Sequence, residues 1–193
     1  VEDFHVSARG GLVRVIEAFD GQLVTNELHL PVREEHGRRV PDAANDVLKI
    51  AVVNRYANAP PAVGFVRGFG LKAGAIASSV AHDSHNIVAV GTSDADLCAA
   101  VNALIEAKGG LSVADGDRID VMSLEVAGLM GRDGEAVAAS YARLDGLAHD
   151  LGSSLRAPFM TLSFMALLVI PALKLSDRGL FDGRAFRFVP LHV

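Results

Sequence analysis

The sequence predicts an α+β domain with mixed, largely antiparallel β-sheet layers and two or three packed α-helices. Three observations support this class. Short apolar runs separated by turn residues fill the first third of the chain, as is typical of strands. Two later stretches, residues 94–105 and 134–151, repeat apolar residues at helical spacing. Strands and helices do not alternate regularly, which argues against a series of βαβ units.

The first predicted element is a β-hairpin. Residues 12–16 and 22–28 read as strands, and Asp20-Gly21 between them tolerates the positive φ of a tight turn. Residues 33–45 carry charges, a glycine and a proline without apolar periodicity, so we expect a surface loop there. The next strand is predicted at residues 47–53.

The middle of the chain predicts three more strands and a helix. We expect strands at residues 62–69, 74–80 and 87–90. Thr92 or Ser93 resembles a helix N-cap, and acidic residues follow it in the first turn. Apolar residues then recur on one helical face before Gly109-Gly110 ends the helix, and they are Leu97, Val101, Leu104 and Ile105.

In the last third of the chain, the sequence predicts some elements clearly and leaves one segment ambiguous. Strands at residues 111–114 and 120–124 surround a turn, and a helix over residues 134–151 buries Val137, Tyr141, Leu144 and Ala148. Residues 158–170 fit either a strand or a buried helix, because a short apolar run does not separate the two. Residues 184–193 alternate like a terminal strand. We therefore expect one domain over residues 1–193, strand-rich over about 1–91 and α/β over about 92–193.

Composition argues against several classes of protein. The net charge of −5, with no Trp and two Tyr, offers neither a basic face nor a stacking platform for nucleic acid. No apolar run approaches the roughly 20 residues that span a bilayer, so we expect no membrane segment. Cys98 is the only cysteine, which excludes an internal disulfide or a cysteine-based zinc site and favours a cytoplasmic location. The start at Val1 has no features of a signal peptide, and we expect a fragment of a longer protein.

A polar cluster at residues 78–86 is the strongest local signal of a functional site. His82 and His85 lie three residues apart with Asp83 between them, and both types of side chain move protons or bind metals near neutral pH. We take His82, Asp83 and His85 as candidate catalytic residues. The candidate substrate-binding residues supply hydrogen-bond donors and acceptors around them, and they are Ser78, Ser79, Ser84 and Asn86. An ordinary polar turn is the alternative interpretation.

Glycines at positions 64, 68, 70 and 74 precede this cluster. Backbone amides in a glycine-rich loop can bind phosphate, but the spacing matches no phosphate-binding motif. We therefore favour close packing of strands, or close approach to a neighbouring domain, over nucleotide binding.

The run Gly-Phe-Val-Arg-Gly-Phe-Gly-Leu-Lys-Ala-Gly-Ala-Ile-Ala-Ser-Ser-Val-Ala-His-Asp-Ser-His-Asn at residues 64–86 resembles the C-terminal domain of bacterial adenine deaminases, in the amidohydrolase superfamily. The resemblance extends over residues 46–53, 157–164 and 170–175 and to Phe-Arg-Phe-Val at 186–189. It implies a parent enzyme that hydrolyses adenine to hypoxanthine and ammonia with manganese or iron bound in a (β/α)8 barrel.

The chain departs from the superfamily because it has no His-x-His pair, and its length leaves no room for a barrel of about 250 residues. The resemblance therefore implies that the barrel is missing, that this chain holds no metal and is inactive alone, and that its partners are adenine, the barrel and further copies of the chain. Two other functions stay open. The domain could be a non-catalytic structural or oligomerisation module, or a small-molecule-binding domain without enzyme activity.

Overall fold

A computed structural model describes all residues from Val1 to Val193. It contains three α-helices, namely α1 (Asp94–Glu106), α2 (Gly134–Asp150) and α3 (Pro158–Ser163). Short 3-10 turns lie at Glu2–Phe4 and Ala43–Asn45. The strands are β1 (Val6–Ser7), β2 (Val13–Ala18), β3 (Thr25–Leu30), β4 (Glu34–Glu35), β5 (Arg38–Arg39), β6 (Leu48–Val53), β7 (Ala62–Arg67), β8 (Ala75–Ser78), β9 (Ile87–Gly91), β10 (Gly110–Asp115), β11 (Arg118–Ser123), β12 (Leu173–Ser176), β13 (Gly179–Asp182) and β14 (Arg187–Phe188).

Eight strands form the central sheet, in the order β11-β10-β8-β9-β6-β7-β2-β3. All neighbours pair antiparallel except β2 and β7, which are parallel. Two three-stranded sheets, β1-β5-β4 and β12-β13-β14, complete the fold. The predicted α+β class with a largely antiparallel sheet is confirmed. Strands from both sides of residue 91 share the central sheet, so the chain does not divide there into two packing units.

Side-chain alternation along the strands gives the central sheet two buried faces. On β9, Val88 and Val90 point into the larger core, whereas Ile87 and Ala89 point into the smaller core on the other side. The larger core lies beneath α2, α3 and the β12–β13 hairpin. The smaller core lies beneath α1 and the N-terminal 3-10 turn, where Phe4 is buried. The fold therefore has three layers with the sheet in the middle.

Helix α1 packs closely because small residues line the sheet beneath it. A Cβ at Gly91 would come within 2.7 Å of the Ala75 side chain and 3.0 Å of Leu97. Ser93 is the N-cap, and its hydroxyl accepts a hydrogen bond from the Asp96 amide at 3.0 Å. Leu97, Val101 and Leu104 are buried as predicted, but Ile105 is 54% exposed. The helix buries a narrower stripe than the apolar spacing suggested.

Several local predictions were wrong. The expected surface loop at residues 33–45 contains β4 and β5, which pair with each other, while β5 also pairs with β1. The expected terminal strand is limited to β14, and its aromatic residues Phe186 and Phe188 are exposed around Phe181. The β12–β13 hairpin before it was not predicted. None of the three helices has the length and apolar content needed to cross a membrane.

The glycine-rich segment shows the close strand packing that its sequence predicted. Gly68 has a φ of +103°, and a Cβ there would overlap the carbonyl oxygen of Ala18. Gly74, at φ +66°, would overlap the carbonyl oxygen of Ala114 in the same way. The Asp46 carboxylate accepts hydrogen bonds from the amides of Gly68 and Gly70, each at 2.8 Å. The amides that a phosphate would need are thus bound by a side chain of the same domain.

Candidate functional site

The candidate site is the turn formed by residues 82–86, between β8 and β9. Its backbone is held by neighbouring elements. The His82 amide donates to the carbonyl of Ser163 at the end of α3, at 3.0 Å, and the His85 amide donates to Ala81 at 2.7 Å. The Tyr56 hydroxyl donates to the Ser84 carbonyl at 2.9 Å, and the Arg55 guanidinium donates to the His85 carbonyl at 3.1 Å. The turn therefore has a defined backbone position at the end of two central strands.

Four side chains of this turn have no hydrogen-bond partner within the chain. The His82 ring stacks on Phe164, with centroids 5.0 Å apart and an interplanar angle of 26°. The His85 ring meets His82 edge to face at 5.9 Å, and its Nδ1 is buried without a partner. Asp83 and Ser84 are exposed. The two imidazoles, one carboxylate and one hydroxyl are brought together here but do not bond to one another.

The other three predicted site residues are hydrogen-bonded within the domain. Ser78 is buried, and its hydroxyl accepts from the Val80 amide at 3.0 Å. Ser79 is fully buried, where its hydroxyl donates to the Gly128 carbonyl at 2.6 Å and accepts from the Gly110 amide at 2.7 Å. Asn86 is buried, and its Oδ1 accepts from the Arg55 amide at 3.1 Å.

A cavity of about 480 Å³ opens beside the turn, on the α2 and α3 side of the sheet. His82 lies at its border, and the Ser163 hydroxyl in its wall donates to the Met160 carbonyl at 2.7 Å. Burial and the nearby Asp145 carboxylate raise the pKa of Tyr141, another wall residue. The lining is mostly apolar: Ser78, Val80, His82, Leu111, Met122, Leu124, Leu129, Met130, Gly131, Gly134, Val137, Tyr141, Phe159, Met160 and Ser163.

Sequence reasoning placed Ser78 and His82 in the candidate site, but it did not predict the cavity that they line together with more distant residues. Tyr141 and Val137 were recognised only as the buried stripe of α2, and Met122 and Leu124 only as part of a strand. The loop before α2 supplies Leu129, Met130 and Gly131, and nothing in their spacing indicates a shared wall. The residues come from β8, β10, β11, α2 and α3, so only the tertiary structure brings them together.

The ligand-type side chains of the turn are not arranged to hold a metal ion. No group of three or more His, Cys, Asp or Glu side chains in the chain is arranged to hold a metal ion. His82, Asp83 and His85 offer proton-transfer and hydrogen-bonding groups, and they provide no metal centre for activating water.

The fold and this site define an α+β domain that presents a histidine-containing turn beside an apolar cavity. The sequence profile of the adenine deaminase C-terminal domain matches residues 22–187. The chain belongs to that family, as its resemblance over residues 64–86 predicted.

Relatives with known names agree over almost the whole chain. An adenine deaminase of Salinibacter ruber is 56% identical over 190 residues, covering 97% of this chain and 35% of that protein. One from Methanosarcina barkeri is 55% identical over 181 residues, covering 93% of this chain and 33% of the relative. One from Parabacteroides distasonis is 44% identical over 194 residues, covering all of this chain and 36% of the relative. The chain therefore spans about a third of the length of these relatives.

Proposed function

We propose that the complete protein carrying this domain is an adenine deaminase, which hydrolyses adenine to hypoxanthine and ammonia. Support comes from membership of the C-terminal domain family and from relatives that bear this name at 44–56% identity. The proposal places the protein in adenine salvage in the cytoplasm, where the single free cysteine is compatible with a reducing environment.

The metal belongs, in this proposal, to the barrel outside the chain. A bound metal lowers the pKa of water to about 7, which supplies hydroxide at neutral pH. Manganese or iron would serve this purpose in the barrel. The residues of this chain do not fit such an ion, because no three candidate ligands converge. We therefore assign the chain no step in the activation of water.

The role proposed for this domain is a wall of the active site, formed by residues 82–86. One observation carries it: the side chains of His82, Asp83, Ser84 and His85 have no hydrogen-bond partner within the domain, although the backbone beneath them is fixed. The buried Nδ1 of His85 is the strongest part of this observation, because water can satisfy the exposed Asp83 and Ser84 but does not reach a buried nitrogen that lacks a partner. Unpartnered imidazole and carboxylate groups on a fixed backbone suit contact with a polar purine edge.

The test uses the complete enzyme with His82→Ala, Asp83→Asn and His85→Ala. We expect His85→Ala to lower kcat/KM at least tenfold, about 1.4 kcal/mol of transition-state stabilisation, with Tm nearly unchanged. His29→Ala is the matched control, since His29 lies exposed on β3 and contacts Glu27. It should leave kcat/KM at the wild-type value.

Wild-type kinetics in all three variants would remove the turn from the active site and favour a structural or oligomerisation module. A variant whose Tm falls markedly together with its kcat/KM would also favour a structural module, because structural damage alone then explains the loss of activity.

A second candidate function rests on the 480 Å³ cavity, which would suit a small-molecule-binding domain. Adenine and hypoxanthine, titrated calorimetrically into this chain, would then bind with a Kd below about 1 mM. Leu124→Trp, which fills the cavity, should abolish that binding. Absence of heat from either purine, or binding that survives Leu124→Trp, would reject this candidate.

A further inference from the structure

Arg55, in the loop between β6 and β7, joins the turn of residues 82–86 to a second loop. Its guanidinium donates through Nη1 to the His85 carbonyl at 3.1 Å and through Nη2 to the Ala127 carbonyl at 2.8 Å. The Arg55 amide also donates to Oδ1 of Asn86 at 3.1 Å. Arg55 therefore holds two successive residues of the turn and connects them to the loop before α2, which forms part of the cavity wall.

The backbone of His85 needs support because its conformation is strained. Its φ is +53°, in the left-handed region that residues other than glycine rarely adopt. Such a conformation persists only where the surrounding structure fixes it. The His85 amide donates to the Ala81 carbonyl at 2.7 Å, and its carbonyl accepts from Arg55, so both backbone polar groups are bonded. The imidazole, whose Nδ1 is buried without a partner, therefore leaves the backbone in a fixed direction.

The loop that carries Arg55 is itself fixed to the fold. Asn54 accepts a hydrogen bond from the Tyr56 amide at 2.8 Å through Oδ1. Its Nδ2 donates to the Asp177 carboxylate at 2.7 Å, in the turn between β12 and β13. On the far side of the guanidinium, a Cβ at Gly128 would come within 2.6 Å of Nη2 of Arg55. The guanidinium thus lies between an anchored loop and a backbone position where a side chain would displace it.

We propose that Arg55 is a positioning residue for adenine deamination, which orients His85 by holding the carbonyls of His85 and Ala127 together. This inference rests on the function proposed for the turn. Both acceptors of the guanidinium are backbone carbonyls, so its hydrogen bonds fix the path of the chain. A guanidinium supplies its nitrogens in a rigid plane, whereas a lysine amine has one nitrogen on a flexible stem. The site therefore requires the shape of the arginine side chain as well as its charge.

The test uses the complete enzyme with Arg55→Lys and Arg55→Ala. Arg55→Lys keeps the charge but leaves at least one of the two carbonyls without its donor. We expect each variant to lower kcat/KM by about fivefold or more, mainly through kcat, because a displaced imidazole stabilises the transition state less.

Arg14→Lys is the matched control for loss of an arginine that bonds to the backbone. Arg14, on β2, donates through Nη1 to the Pro190 carbonyl at 2.8 Å, and two strands separate β2 from β9 in the central sheet. Arg14→Lys should leave kcat/KM at the wild-type value whatever its effect on Tm. An equal fall in kcat/KM for Arg14→Lys and Arg55→Lys would overturn the proposal, as would wild-type kcat/KM for the Arg55 variants.

A double mutant tests whether Arg55 acts through His85. Added to His85→Ala, Arg55→Ala should lower kcat/KM by less than about twofold further, because the side chain that it orients is already absent. If Arg55→Ala does not fold, Arg55→Lys takes its place in the same comparison. The full effect of Arg55→Ala in the His85→Ala background would overturn the proposal and leave the proposed function of the turn intact. Wild-type kinetics for His85→Ala alone would instead reject that proposed function and this inference together.

Discussion

The glycine-rich segment of residues 64–74 and the turn of residues 82–86 adjoin in sequence and differ in how their polar groups are used. In the first, the amides of Gly68 and Gly70 bond to Asp46, and Gly68 lies against the Ala18 carbonyl. In the second, four consecutive side chains lack partners inside the domain. In the family signature at residues 64–86, residues 64–74 thus pack within the sheet, whereas the side chains of residues 82–85 make no hydrogen bonds inside the domain.

A segment can therefore carry glycines because backbone packing requires them, or polar side chains because its function requires them. Gly68 and Gly74 are required by the packing of the backbone, so changes there should act on stability. The turn is fixed through its backbone, so changes in its exposed side chains should act on function. We therefore expect the largest losses of stability in the glycine-rich segment and the smallest in the turn.

Gly68→Ala should give the largest loss, at least about 4 kcal/mol in the free energy of unfolding, because the added Cβ overlaps the Ala18 carbonyl at a positive φ. Gly37 also has a positive φ, but a Cβ added there would meet no atom within 4 Å. Gly37→Ala should therefore lower the free energy of unfolding by only about 1–2 kcal/mol. Urea unfolding of this chain measures both. Equal losses would show that backbone conformation, and not the close contact, is what Gly68 provides.

Lys174 should have an intermediate effect on stability. Its side chain is fully buried, and its amine has one hydrogen-bond partner, the Leu23 carbonyl at 2.7 Å. Burial lowers its pKa from 10.5 to about 8. Between pH 8 and 10.5 the unfolded chain therefore binds more protons than the folded chain, and stability should rise with pH. We expect the stability difference between Lys174→Met and wild type to change by on the order of 3 kcal/mol over this range.

The control for this pH effect is Lys72→Met, since Lys72 is exposed and donates to the Ala43 carbonyl at 3.1 Å. Its stability difference from wild type should stay nearly constant from pH 8 to 10.5. A constant difference for Lys174→Met as well would show that this buried amine is solvated.

Asp46→Ala should lower the free energy of unfolding by about 3 kcal/mol, for two reasons. The amides of Gly68 and Gly70 lose a charged acceptor, and alanine must adopt the φ of +53° found at this position. Asp46→Asn keeps one acceptor oxygen and a side chain that tolerates this φ, so about half the loss is expected. If asparagine and alanine destabilise the chain equally, the two hydrogen bonds act only as a pair.

The smallest effects on stability are expected in the turn. Asp83→Ala and Ser84→Ala should change the free energy of unfolding by less than about 0.5 kcal/mol, since both side chains are exposed and unbonded. Asn86→Ala is the matched change in the same turn, and it should lose about 1–2 kcal/mol because the Arg55 amide loses its acceptor. A large loss at Asp83 or Ser84 would place the whole turn with the structural part of the signature.

Local patterns predicted most regular elements. Short apolar runs bounded by turn residues identified β2, β3, β6, β7, β8 and β9, because a strand buried on at least one face shows that burial in its own sequence. The cap at Ser93 and the acidic first turn located α1 within a residue or two. Residues 158–170 were ambiguous by pattern, and the structure forms α3 over only Pro158–Ser163. A short run of apolar residues indicates that a segment is buried, but it does not indicate whether that segment is a helix or a strand.

The sequence by itself determined the class of fold, the family and the polar turn, because each depends on residues adjacent in the chain. Tertiary structure decided the order of the eight strands, the parallel pairing of β2 and β7, and the cavity wall shared by five elements. It also decided that Ser79 is enclosed by the backbone of Gly110 and Gly128 while Asp83 is exposed. Both are polar residues in one short segment, and only the position of distant backbone atoms distinguishes them.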